Sequence, residues 1–168
     1  MASSAVTGLP TQLGHIALRV RDVDRAVAFY SQVLGLRVRD LERAVAFYRD
    51  VVGLKLRSRM GDRVAFLGIR EDASHEVALF ALPEDAPGPE PNRVGMYHMA
   101  WEMASFDDLE RFHQRLLASQ ARITGYSERQ FNVMFLDPDG NELEALWEPT
   151  PAEQQRLEAV GGMPRLQR

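Results

Sequence analysis

Three residues whose side chains suit one divalent metal stand in runs that alternate between apolar and polar: His15 in LGHIALRV, His98 in YHMAWEM, and Glu144 in FNVMFLDPDGNELEALW. The last stretch, Phe131 to Trp147, reads as strand, turn and strand. Phe131, Val133 and Phe135 alternate, Asp137-Pro138-Asp139-Gly140 closes a turn, and Glu142 to Leu146 runs back. Alternation places Glu142 and Glu144 on one face and Leu143 and Ala145 on the other. A carboxylate on the inner face of a hairpin needs a partner, and His15 and His98 are of a type to supply one. The chain has no cysteine, so His, Asp or Glu would have to hold any metal. That leaves hard or borderline ions such as iron, manganese, zinc or nickel.

The elements that position these residues can be read in order. Leu13 to Val20 is a half-buried strand with His15, Ala17 and Arg19 on one face. Asp22-Val23-Asp24 caps a helix that Gly35 ends. Residues 21–38, RDVDRAVAFYSQVLGLRV, are then followed at once by residues 39–56, RDLERAVAFYRDVVGLKL, a tandem duplication of a helix and the start of the next strand. One sheet offers one seat. We expect Val23 to Leu34, contiguous with the first strand, to take it and Leu41 to Val52 to be the insertion, with the spare apolar face buried in a homodimer.

Strands are expected at Leu54 to Ser58, Arg63 to Ile69 and Glu76 to Leu82, before the proline-rich linker 83–92. The second half repeats the plan: a strand at Tyr97 to Met103, a helix capped by Ser105 with Leu109, Phe112, Leu116 and Leu117 as apolar positions, a strand from Ile123, then the hairpin. His15-x-Ala17 corresponds to His98-x-Ala100, Asp24 to Asp107 and Phe29 to Phe112 at one constant offset. We divide the chain into a leader (1–12), one domain (13–149) built of modules 13–82 and 93–149, and a polar tail (150–168) with a short helix from Ala152 to Val160.

At 168 residues and 45% hydrophobic, the chain suits a single globular domain. A formal charge of −4 and a pI of about 5.6, with Lys and Arg dispersed, argue against nucleic acid as a partner. No apolar run has the length of a membrane span and the first residues lack a secretory pattern, so the expected location is cytoplasmic and the expected partner a small-molecule substrate.

A strand, helix and three strands, repeated, with histidines opening the modules and a glutamate after DPDGN, resembles the vicinal oxygen chelate superfamily of glyoxalases, bleomycin-resistance proteins and type I extradiol dioxygenases. The resemblance, from about Leu13 to Pro149, implies an α+β fold of two paired βαβββ modules curling into an open, barrel-like cleft that holds a divalent metal. It implies His15, His98 and Glu144 as ligands, a two-histidine, one-carboxylate set of the kind used by non-heme Fe(II) oxygenases. Fe(II) is then the expected cofactor, with Mn(II), Zn(II) or Ni(II) as substitutes. Glyoxalases would use a fourth ligand at the position of Ala78, and Glu76 could stand in only with a shifted register.

The segment Ser74 to Phe80 resembles the one carrying the acid-base histidine of extradiol enzymes, which maps onto His75; the bland reading, a polar residue at a strand start, weighs equally. Where those enzymes carry a tyrosine, this chain has Met134, which cannot donate a proton; Tyr126, in the preceding loop, is the candidate substitute. Tyr126, Met134 and Arg19 are the expected substrate contacts, although Arg19 could instead pair with Glu102. His113 is expected on a solvent-facing side of its helix. The resemblance implies a ring-cleaving dioxygenase acting on a small vicinal diol, with a glyoxalase-type isomerase or lyase, or a non-catalytic small-molecule-binding protein, as alternatives.

Overall fold

The computed structural model describes residues 8–19, 36–90, 92, 95–127, 131–159 and 166; the side chains of residues 14–19 and 37 also fall outside that description. Strand β1 spans Pro10–Arg19 and β2 Leu36–Val38. Helix α1 covers Leu41–Phe47 and continues as a π-helical turn over Tyr48–Val52. Strands β3 (Lys55–Met60), β4 (Val64–Gly68), β5 (Val77–Ala81) and β6 (Gly95–Met103) follow. Helix α2 (Phe106–Ala118), strands β7 (Ile123–Ser127), β8 (Asn132–Leu136) and β9 (Glu142–Leu146), and helix α3 (Pro151–Ala159) complete the order.

The strands form two sheets, ordered β1-β6-β9-β8-β7 and β2-β5-β4-β3. The fold is thus α+β, but the described strands do not close into a barrel. The reason lies in the repeat. In the second half the opening strand β6 pairs in parallel with its closing strand β9. The corresponding partner of β5 is not β1 but the short β2, with Leu36 beside Leu79 and Val38 beside Ala81. Leu36-Arg37-Val38 repeats Leu18-Arg19-Val20, so the duplication extends three residues further back than residue 21 and carries a copy of the strand end. Among the described strands β1 pairs with β6 alone, antiparallel, as the edge of the five-stranded sheet.

The same arrangement corrects the expectation about the seat. Leu41, Ala44, Val45, Tyr48 and Val52 of the second copy are buried in the core, Ala44, Tyr48 and Val52 completely. Contiguity with the strand that follows outweighs contiguity with β1: Gly53, at φ 97°, turns α1 directly into β3, and that left-handed conformation favours glycine. Phe29 and Tyr30 of the first copy lie outside the described residues.

One side of α1 is fastened to the hairpin of the other half. Arg39 donates to Asp139 Oδ1 from its backbone N–H (3.1 Å) and its Nε (3.0 Å), Arg43 donates to the Pro138 carbonyl (3.1 Å), and the Tyr48 hydroxyl donates to Asp137 Oδ2 (2.9 Å). Burial, reinforced by the Asp137 charge, holds the Tyr48 hydroxyl well above its ordinary range, so it stays a donor. Helix α2 begins at Ser105, whose hydroxyl accepts from the Asp108 N–H. It buries Leu109, Phe112 and Leu116 against the five-stranded sheet, while Leu117 is exposed. Each fully buried side chain of this size contributes about 1.5–3 kcal/mol. The tail helix α3 has no fully buried residue and reaches the core only through the half-buried Leu157, and no helix among the described residues is long and apolar enough to cross a membrane.

Candidate metal centre

The helices fix which face of the sheet is available for chemistry. Met99, Trp101, Val133, Phe135, Leu143 and Ala145 belong to the core under the helices, so the alternating residues His98, Ala100, Asn132, Met134 and Glu144 point the other way. Ala100 lies beside Glu144 on β9 and Met134 lies opposite Glu144 on β8. On the remaining side β1 places His15 directly opposite Ala100 and Ala17 opposite His98. His15, Ala100 and Glu144 therefore form one cross-strand row, with neighbouring strands about 4.8 Å apart, and its middle residue is no larger than a methyl group. The side chains of His15 and Arg19 lie outside the described residues.

His98 Nε2 stands 3.1 Å from Glu144 Oε2, with side-chain exposures of 13% and 8%. Two ligands about 2.1 Å from one ion and at right angles would be about 3 Å apart, so this nitrogen and oxygen fit a shared divalent ion. Asn132, which the sequence reading passed over, completes the arrangement: its side-chain amide donates to Glu144 Oε1. Its own carbonyl oxygen accepts from the Ser127 N–H at 2.8 Å, so one Glu144 oxygen is tethered while the other meets His98. The available signal was alternation, since Asn132 precedes Met134 by two residues and shares its face. We expect Asn132→Ala to weaken divalent-metal affinity by about 10–100-fold while leaving the fold intact, as loss of a partner behind a ligand does. Parallel metal titrations of the two proteins check this.

Other candidates fall elsewhere. Tyr126 pairs with Val133 on the helix side of the sheet, and its hydroxyl meets His113 Nε2 at 2.8 Å, so it does not stand in for the hydroxyl missing at Met134. His113, expected to face water, is fully buried, because the strand beneath α2 supplies a polar partner for it. Burial lowers the His113 pKa below its ordinary value, against an opposing pull from Glu110. A histidine depressed in the folded state stabilises the fold above its unfolded pKa of about 6.5 and loses that contribution as pH falls. Stability should therefore drop below about pH 6.5, with a shallower slope in His113→Asn, measured by urea titration across pH.

His75 is exposed, its Nδ1 3.1 Å from Ser74 Oγ and its ring 4.8 Å from that of Phe66. Phe66 and Ala78 are cross-strand partners on the helix-free face of the four-stranded sheet, which puts His75 on the corresponding side of the first half. Ala78, at the fourth-ligand position, offers no donor. Glu76 accepts from the Ile69 N–H at 2.9 Å and pairs with Arg70 at 3.3 Å, which engages its carboxylate within the first half. Glu102 is bonded by Gln12, and Glu142 accepts from Thr124 at 2.8 Å beside the turn. Among the described residues no group of three His, Asp or Glu side chains converges; His98 and Glu144 are the pair that does.

A sequence profile described as the glyoxalase/bleomycin resistance protein/dioxygenase superfamily matches residues 12–40 and 36–145. The chain belongs to this superfamily. The two matched pieces overlap at residues 36–40, where the second copy of the repeat begins. Among solved structures, a glyoxylase/bleomycin resistance protein/dioxygenase domain from Frankia sp. EAN1pec aligns at 26% identity and TM-score 0.58, covering 69% of this chain and 94% of that one. A glyoxalase/dioxygenase from Nostoc punctiforme aligns at 21% and 0.57, covering 70% and 89%. Lactoylglutathione lyase from Agrobacterium tumefaciens aligns at 23% and 0.52, covering 68% and 90%. Likeness to the last two shows the superfamily fold and nothing of the reaction. Comparison with curated proteins returns no match.

Proposed function

We propose that this superfamily member is a metal-dependent enzyme of ring-cleaving dioxygenase type, acting on a small substrate with two adjacent oxygens, and that His15, His98 and Glu144 hold Fe(II), or Mn(II), Zn(II) or Ni(II) in its place. The observation carrying the reading is the buried contact between His98 Nε2 and Glu144 Oε2 at 3.1 Å, in a row whose far end is His15. When bound, a divalent ion with three protein ligands supplies open positions and a Lewis acid for the substrate oxygens. The chain's own residues do the rest. Asn132 fixes the Glu144 carboxylate, Ala100 leaves room between the ligands, and Ala78 contributes no fourth donor. His75, on the exposed rim, is the group for proton transfer, since an imidazole can both accept and donate a proton.

A second reading, a glyoxalase-type isomerase or lyase that needs no oxygen, is favoured by one observation: Met134 lies opposite Glu144 and the Tyr126 hydroxyl is engaged on the other face. Neither position therefore brings a hydroxyl to Glu144 as a proton donor. The test is anaerobic loading with Fe(II), addition of a simple catechol, then air, followed by absorbance of the yellow ring-opened product and oxygen uptake. Product formation that is lost in His15→Ala and His98→Ala supports the dioxygenase. Iron binding without oxygen uptake favours the Lewis-acid reading, and absence of metal binding reduces the protein to a small-molecule binder.

A further inference from the structure

The seat filled by α1 has two nearly identical candidates in the same chain. Residues 18–35 and 36–53 differ only at positions 23/41, 24/42, 31/49, 32/50 and 34/52. The residues that fasten α1 to the other half recur in the first repeat, whereas Glu42, which pairs with Arg59, is matched by the shorter Asp24. Arg39, Arg43 and Tyr48, which fasten it to the Asp137–Asp139 turn, have Arg21, Arg25 and Tyr30 as counterparts. Asp40, whose side chain caps the helix, has Asp22; buried Ala44 and Val45 have Ala26 and Val27; Gly53 has Gly35. Leu41 and Val52, both buried, are matched by Val23 and Leu34, the same two side chains in the opposite order, and such volume-conserving exchanges are the best tolerated in a core. The remaining differences fall at Glu42, Arg49 and Asp50, which are exposed in the seat.

We propose that the two repeats exchange in this one seat, the first displacing the second by an eighteen-residue shift of register. In the exchanged form Leu18-Arg19-Val20 lies beside β5 where Leu36-Arg37-Val38 now lies, so β1 links the two sheets instead of ending one of them. The strand carrying His15 is then bordered on both sides, as β6 is by β1 and β9. A ligand strand held on both sides fixes the position of His15, and a metal that binds this form more tightly draws the chain towards it. That functional consequence rests on the proposed metal reading; the exchange itself does not.

The test uses the full chain without metal. Ala44 is fully buried, so Ala44→Asp puts a carboxylate into the core and should expel the second repeat. If the first repeat takes over, Ala44→Asp still unfolds cooperatively, with Tm lowered by no more than about 10 °C, whereas Ala26→Asp/Ala44→Asp shows no cooperative transition. Hydrogen exchange of Ala44→Asp should show protection rising at residues 23–34 and falling at 41–52 relative to wild type, unchanged on tenfold dilution. Unfolding of Ala44→Asp to the same extent as the double variant overturns the proposal. So does a folded Ala44→Asp without added protection at 23–34, or protection that disappears on dilution, which would mean that a neighbouring chain fills the seat. Failure of wild-type protein to bind iron would remove the metal reading and leave this result standing.

Discussion

His98→Ala should bind Fe(II) at least about 100-fold more weakly than wild type, since loss of a ligand exceeds the roughly 10–100-fold cost of losing a partner behind one. Glu144→Ala should behave likewise, while Glu142→Ala should stay within about threefold, because no described contact links it to the ligands. The two glutamates share a strand and a face, so the comparison isolates position from charge. Glu144 Oε2 meets His98 Nε2 at 3.1 Å; Glu142 is spent on Thr124 at the end of the hairpin. Anaerobic calorimetric titration of the three variants reads the difference directly. Equal losses in Glu142→Ala and Glu144→Ala would mean that bulk negative charge, not this pair, attracts the metal.

The second large effect concerns the scaffold beneath that pair. Trp101→Ala should cost about 3–5 kcal/mol, the range for emptying an aromatic site in a core, and lower Tm by about 6–20 °C for a chain of this size. Trp101 is fully buried on β6, between the strand that carries His98 and the underside of α2. Its indole N–H has no hydrogen-bond partner among the described residues, so Trp101→Phe removes an unsatisfied donor along with some volume. The two terms oppose each other, and Trp101→Phe should cost no more than about 1.5 kcal/mol. Thermal and urea unfolding of both variants separate packing from polarity. A large loss in Trp101→Phe would show that the indole nitrogen is engaged.

The parts of this architecture that could be read from the chain are those in which local pattern and tertiary environment agree. The hairpin around Asp137-Pro138-Asp139-Gly140, the Ser105 cap and the face shared by His98 and Glu144 all follow from periods of two or from turn chemistry, and the structure has them there. What could not be read depended on competition between equals. Nothing local ranks Val23 to Leu34 against Leu41 to Val52, because their core-facing residues differ only by an exchange of Leu and Val between two positions. The choice turns on Gly53 and Leu54 leading straight into β3, and on a three-residue strand stub, β2, that only a paired sheet reveals. Tyr126, expected in a loop beside the ligands, and His113, expected to face water, differ for a related reason: only the packing of α2 over β7 brings ring nitrogen and hydroxyl within 2.8 Å. Asn132 was overlooked because an amide in a strand has no pattern of its own until a carboxylate is seen beside it.

The most direct measurement of the central claim is a crystal of the protein soaked in Mn(II), with an anomalous difference map. The account predicts one strong peak about 2.2 Å from His98 Nε2 and from a Glu144 oxygen, with the His15 imidazole as the third protein ligand. A peak elsewhere, or His98 and Glu144 still paired at their present separation with no metal between them, would contradict it.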